Sequence, residues 1–438
     1  MNLEVNIIGA GLAGVEVAWQ LSKYNNIEIK LFEQKPVKFS PVHSSENFAE
    51  LVCSNSLKSE KLENAEGVLK AEMEMLDSLV IKCAKKTRIP AGKALAVDRK
   101  LFSECITNKI KLLPNVEIIR KEITEIDLSN PSKIWVIATG PTTDGKLAEW
   151  LSKITNGFLN FFDAVSPIIS AESINYDICF FGDRYGVGTG DYINCPLTKK
   201  EYERFYNALI SSQIVKIEGF DRKLLFERCQ PIEEIAKTGI DSLRYGPMKP
   251  VGITDPKSGK KPYAVVQLRK ENEEGTMYNI VGFQTRLKWK EQSRIIKMIP
   301  GLENAEILRY GVMHRNTYID SPHVLDKFLR HKKYKNLFFA GQITGVEGYA
   351  ESAATGIYVG INIRRILTGE KMLPFPKKTM IGALLDYITS AKELKPMYAN
   401  FGLLPLEKII KNKNDRRKYL SNRCLEIMRN FVKNELCI

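Results

Sequence analysis

Gly9, Gly11 and Gly14 stand in GxGxxG spacing, and Glu33 follows about 20 residues later. Each glycine has its own task in such a loop. Gly9 permits a tight turn, Gly11 lets a diphosphate approach the backbone, and Gly14 lets a helix pack closely on a strand. The diphosphate would sit at a helix N-terminus, where unsatisfied N–H groups and the helix dipole favour anions. The Glu33 carboxylate can accept hydrogen bonds from ribose hydroxyls. The chain also carries eight cysteines. Cys53 lies in a Ser- and Asn-rich turn, and Cys229 follows Arg228 and precedes Gln230-Pro231. A neighbouring cation or helix N-terminus would lower a thiol's pKa and make it a nucleophile. Cys83, Cys105, Cys179, Cys424 and Cys437 have apolar or undistinguished neighbours and are expected to be inert. Cys195, beside Pro196, is expected to be structural. No two cysteines form a CxxC pair, so no metal site is expected.

These residues need elements to hold them. Val5 to Ile8 reads as a strand, Val15 to Ser22 as a helix and Ile27 to Glu33 as a second strand, together one βαβ unit. Val68, Leu69, Met73, Leu76, Leu79 and Val80 predict one helix over Gly67 to Lys85. Ile134 to Thr139 reads as another strand, ending at Gly140-Pro141. Between 171 and 329 the texture changes, with more Tyr, Asp and Gly turns and short runs such as Ala264 to Leu268. At Leu337 to Ala340 the α/β pattern returns, followed by a Gly341 turn and a small-residue helix through Ala353 and Gly356. The expected fold is α/β: a discontinuous Rossmann-like domain over 1–170 and 330–438, an α+β insertion over 171–329, and a basic helical C-terminus. The glycine pattern alone serves FAD, NAD or S-adenosylmethionine. Ala138-Thr139-Gly140-Pro141 and the segment Phe339 to Tyr349, which holds Gly341, resemble two segments of two-dinucleotide-type flavoproteins. They favour FAD, which spans a chain from beginning to end.

The composition narrows the class. Of 438 residues 44% are hydrophobic, which excludes a disordered chain. No run of about 18 apolar residues exists, so no membrane span is expected. The first strand starts too near the N-terminus to leave room for a signal peptide, so a cytoplasmic protein with reduced thiols is expected. The formal charge is +14. From Phe401 to Ile438 nine basic residues face four acidic ones, a pattern that attracts a polyanion. Nothing calls for a second copy, and a monomer is expected.

Longer strings carry a family resemblance. They include Phe48 to Leu57 (FAELVCSNSL), Pro90-Ala91-Gly92 with Ala94 to Arg99 (ALAVDR), and Tyr192 to Pro196 (YINCP). Further ones are Cys229 to Glu233 (CQPIE), Gly246 to Gly252 (GPMKPVG), Pro262 to Arg269 (PYAVVQLR), Ile299 to Asn316 and Ala399 to Pro405 (ANFGLLP). Together they resemble the folate- and FAD-dependent RNA uracil-5-methyltransferases of the TrmFO type over nearly the whole chain. The resemblance implies a flavoprotein that makes 5-methyluridine, with methylenetetrahydrofolate as carbon source and NAD(P)H as reductant. It implies an RNA partner, either the T-loop uridine of tRNA or a uridine of 23S rRNA. It marks Cys53 and Cys229 as the reactive pair, with Cys53 as nucleophile and Cys229 as its partner or base, or the reverse. Tyr349 would stack on flavin or pterin.

The chemistry explains the parts list. Uracil C5 is a poor nucleophile until a thiolate adds to C6 and generates an enolate. The carbon then transferred must be reduced to a methyl group. A nucleophilic Cys, a base, a hydride source and a folate pocket are therefore required. Two other readings use the same Rossmann unit: a small-molecule flavin oxidoreductase, and an RNA-binding flavoprotein with decayed activity. The cysteine pair and the basic tail argue against the first, and intact Cys53 and Cys229 argue against the second.

Overall fold

The computed structural model describes residues 3–40, 42–186, 188–216, 230–405, 407 and 410–436. Cys229 and Cys437 lie outside the described residues. Strand β1 (Leu3–Ile8), helix α1 (Leu12–Ser22) and strand β2 (Ile27–Glu33) form the N-terminal βαβ unit. The parallel sheet runs Leu337–Phe339, Lys133–Ile137, β1, β2, Val116–Arg120 across its width. Numbered along the chain, this is 3-2-1-4-5, the first five positions of the Rossmann order, with β1 at its centre. Both faces are covered, so β1 is apolar without strict alternation: Val5, Ile7 and Ile8 are all buried.

Helix α1 is gripped between that sheet and the helix Tyr349–Leu367. Close approach depends on glycine. A Cβ on Gly356 would stand 2.3 Å from the Ala13 carbonyl oxygen, and one on Gly360 would stand 2.8 Å from the Gln20 Cβ. The small-residue run read in the sequence is thus a helix-packing face.

The helix expected over Gly67 to Lys85 is two helices, Ala65–Met75 and Leu79–Lys86. Periodicity continues across the join, but the backbone does not: Asp77 has φ 63°. Helix α1 fixes the break. Gln20 Nε2 donates to the Leu76 carbonyl at 2.8 Å, and Trp19 Nε1 donates to the Asp77 carbonyl at 2.9 Å. Buried Glu16 then accepts from the Leu79 and Val80 amides at 3.2 and 2.9 Å, satisfying donors at the start of the second helix.

A second, antiparallel sheet is ordered Phe180–Phe181, Tyr192–Leu197, Ala264–Lys270, Met277–Ile280, Ile168–Ser170, Ile307–Arg309. It builds its own apolar cluster between Ile169 and Ala305, with the helices Lys199–Ile210 and Trp289–Ile296 packed on it. The chain passes between the two sheets as a paired ribbon, Leu159–Ala164 against Met313–Tyr318. The C-terminal helix, Lys413–Phe431, packs on Ala65–Met75 and buries Leu420, Cys424, Met428 and Phe431. Among the described residues no helix is long and apolar enough to cross a membrane, and no cluster of ligands could hold a metal ion.

Candidate functional site

A deep cleft opens at the C-terminal ends of the parallel strands, the usual ligand position in such sheets. Gly9, Gly11, Glu33, Gly140, Gly341 and Tyr349 all line it. Gly14 does not. The three glycines differ as their spacing implies. Gly9 has φ +100°, and a Cβ there would meet the Ala138 carbonyl oxygen at 2.5 Å. A Cβ on Gly14 would stand 1.9 Å from the Gly9 carbonyl oxygen, so this glycine serves packing. Gly11 faces open space, its nearest neighbour being 3.9 Å away.

The cleft suits an anionic dinucleotide. Helix α1 has no side-chain cap at Gly11 and no acidic residue in its first turn, so its N-terminal amides are left for a phosphate. Glu33 lines the cleft at the end of β2. Its carboxylate accepts from the Ala10 and Lys35 amides at 3.1 and 3.0 Å, which fixes its orientation. Gly140, with φ +73°, turns the chain after the Lys133–Ile137 strand. Gly341, with φ +87°, and Tyr349 close the far end.

Cys53 lies at that far end. Its backbone amide donates to the Tyr349 hydroxyl at 2.7 Å. Three arginines from distant parts of the chain hold its loop. Arg99 Nη2 donates to the Cys53 carbonyl at 3.0 Å, and its Nη1 donates to the Leu51 carbonyl. Arg309 Nη2 donates to the Val52 carbonyl at 2.8 Å. Arg269 reaches Asn55 Oδ1 and Ser54 Oγ, both at 3.0 Å. Glu271, almost fully buried, pairs with Arg99 at 3.0 Å. Arg269 and Arg309 come from the antiparallel sheet, so the loop is clamped where the two sheets meet. Burial, and then repulsion by Arg99, hold the Arg309 pKa below the usual arginine value. Cys53 interacts electrostatically with both Arg99 and Arg309.

The remaining described thiols sit elsewhere. Cys83 lies against Cys105, and burial pushes its pKa up. Cys195 stands 3.4 Å from Cys179, whose hydrogen bond, followed by burial, pushes the Cys195 thiol far up. Burial raises Cys424 as well.

Comparison with known proteins decides the family. The family model described as "Glucose inhibited division protein A" matches residues 4–371. The chain belongs to the GidA family. Within that family it is 68% identical over 430 residues to the Thermosipho africanus protein "Methylenetetrahydrofolate--tRNA-(uracil-5-)-methyltransferase TrmFO", covering 98% of this chain and 99% of that one. The protein of the same name from Thermotoga maritima is 58% identical, with 98% of each chain covered. Aquifex aeolicus GidA superposes with a TM-score of 0.70 at 17% identity, over 98% of this chain and 73% of that chain. This last likeness shows that the GidA fold is shared.

Several GidA-family cleft residues escaped the sequence reading. Lys35, His43 and Glu50 line the cleft near Glu33. Lys35 is buried 3.6 Å from Glu50, and His43 Nδ1 stands 2.6 Å from Ser40 Oγ. Burial, followed by the charge of Lys35, lowers the His43 pKa. Glu50 accepts from the Ser44 and Ser45 amides at 2.9 and 3.1 Å. These residues sit in an irregular loop with no periodicity or spacing to mark them.

Proposed function

We propose that this protein is a methylenetetrahydrofolate- and FAD-dependent methyltransferase that converts a tRNA uridine to 5-methyluridine. The observation that carries the reading is the tie between Cys53 and Tyr349. It ties the backbone of Cys53, in a loop held by three arginines, to the end of a dinucleotide cleft, with the Cys53 thiol 3.9 Å from the Ala164 carbonyl oxygen. Near-full-length likeness to proteins named for this reaction supports the reading, and favours tRNA over rRNA.

The chain's own groups have separable tasks. The amides after Gly11 would hold the FAD diphosphate, and Glu33 would hold a ribose. Tyr349 and Gly341 would border the redox-active end. Bound FAD, reduced by NAD(P)H, would supply the hydride that makes the transferred carbon a methyl group. The Cys53 thiolate forms a bond to uracil C6 and breaks the C5–C6 π bond. The resulting enolate lets C5 take the one-carbon unit of the folate. Loss of the C5 proton to Cys229 expels the folate nitrogen and leaves an exocyclic methylene on C5, and a hydride added to that carbon re-forms the C5–C6 double bond and expels the Cys53 thiolate. The Arg99, Arg269 and Arg309 clamp keeps the nucleophile's backbone fixed while the substrate enters.

RNA carrying 5-fluorouracil tests the thiol step, because fluorine cannot leave C5 as a proton does. Wild type should form a stable covalent complex, and Cys53→Ala should abolish it. Cys229→Ala should abolish turnover. An adduct mapped to Cys229 would exchange the two roles. Retention of full methylation by both variants would end the two-thiol account.

A further inference from the structure

The sequence singled out Ala399 to Pro405 and the basic C-terminal run, and the cleft uses neither. The fold brings them together. A second cavity of about 340 Å³ lies between the 399–402 segment, the start of the Ala65–Met75 helix and the start of the Lys413–Phe431 helix. Lys413, Arg416 and Arg417 line it together with Asn400 and Phe401. Their spacing of three and four residues sets the cations on one helix face. Glu66 is the carboxylate on the lining, and Asp415 is not part of it.

Arg423, further along the same helix, stands 3.4 Å from Glu407. Among the described residues Lys413, Arg416 and Arg417 have no ion-pair partner, although Arg416 and Arg417 are half-buried. Clustered cations on one face attract a polyanion. The helix cannot swing away, because Leu420, Cys424 and Met428 are locked in the core.

The opposite wall is wired to the reaction site. Ala399 N donates to Glu351 Oε1 at 3.1 Å, and Glu351 follows Tyr349 on the same helix. Glu347 N donates to the Met397 carbonyl at 2.7 Å, and Met397 N donates to the Gly345 carbonyl at 3.0 Å. The 397–399 stretch therefore runs alongside residues 345–351, the chain that carries Tyr349.

We propose that Lys413, Arg416 and Arg417 form a seat for RNA backbone phosphates, anchored by the 397–401 strap to the uridine site. This deepens the proposed function and rests on it for the identity of the RNA. Arginine is suited to the task because its fork meets two phosphate oxygens at once. The seat supplies affinity and register without reading sequence.

The test is binding of tRNA by the FAD-loaded full-length chain across a salt series. Arg416→Gln/Arg417→Gln should weaken binding about tenfold and flatten the plot of log K against log salt by about 0.7–0.9 per contact. Flavin content and thermal midpoint should stay at wild-type values, and the control pair Lys85→Gln/Lys86→Gln should bind as wild type does. A pocket variant with wild-type affinity and slope, in a protein that still methylates tRNA, overturns the seat and spares the function. A pocket-dependent slope without methylation keeps the seat and rejects the function. Equal losses in the control pair overturn the seat as a mere share of overall charge. Binding to phosphatidylglycerol vesicles but not to tRNA overturns it in favour of a membrane surface.

Discussion

Replacing Gly11 by Val separates cofactor binding from folding. Gly11 has φ −75° and ψ −173°, an extended conformation open to any side chain. The nearest atom to a Cβ is 3.9 Å away, so the folded chain should change in stability by only about 0.5 kcal/mol. The added methyls enter the space that a diphosphate needs. Loss of two charge-assisted amide contacts, each about 1.5–3 kcal/mol, would remove about 3–6 kcal/mol of binding. At about 1.4 kcal/mol per tenfold, affinity for FAD falls by about two to four orders of magnitude. Gly14→Ala behaves differently. Its Cβ would overlap the Gly9 carbonyl oxygen at 1.9 Å, so helix α1 must shift, at about 1–3 kcal/mol. Flavin absorbance per chain and the denaturant midpoint read the two effects. Gly11→Val should be colourless with a normal midpoint, and Gly14→Ala should lose both. A yellow Gly11→Val protein at full occupancy would refute the placement of the diphosphate.

Three further outcomes follow from the same geometry. Arg99→Lys keeps the charge but cannot serve Leu51, Cys53 and Glu271 together, so methylation should fall at least about tenfold while flavin is retained. A wild-type rate would show that the clamp is dispensable. Tyr349→Phe leaves the Cys53 amide without its 2.7 Å hydroxyl partner, at a cost of about 1–2 kcal/mol, read as a lower midpoint and a slower rate. Burial raises the pKa of Glu16 to about 7 and that of Glu72, which accepts from the Met380 and Ile381 amides, to about 8, against 4.5 unfolded. The folded state then binds protons more tightly than the unfolded one. That stability is complete below pH 4.5 and is lost as pH rises through about 7 and about 8, so the unfolding midpoint should decline across this window. A midpoint that rises there would contradict the protonated state of both carboxyls.

The legible part of this protein was local. Gly9, Gly11, Gly14 and Glu33 are fixed by one βαβ unit, so their spacing in sequence is their spacing in space. Gly341 and Tyr349 were reachable through a resembling segment. The clamp on Cys53 was not legible, since Arg99, Arg269 and Arg309 converge only when two sheets meet. Nor was the break at Asp77, because side chains of helix α1 impose it from outside the segment. The basic C-terminal run showed its charge in the sequence, but the cavity it lines depends on Asn400 and Phe401 arriving from another turn.

The most direct measurement is isotope tracing of the methyl carbon. The FAD-loaded protein is incubated with a tRNA transcript, NAD(P)H and methylenetetrahydrofolate labelled in its methylene carbon, and the RNA is digested for nucleoside mass spectrometry. The account predicts 5-methyluridine carrying the label, and none when labelled S-adenosylmethionine is the only donor. Label arriving from S-adenosylmethionine, or 5-methyluridine without the folate carbon, would contradict it.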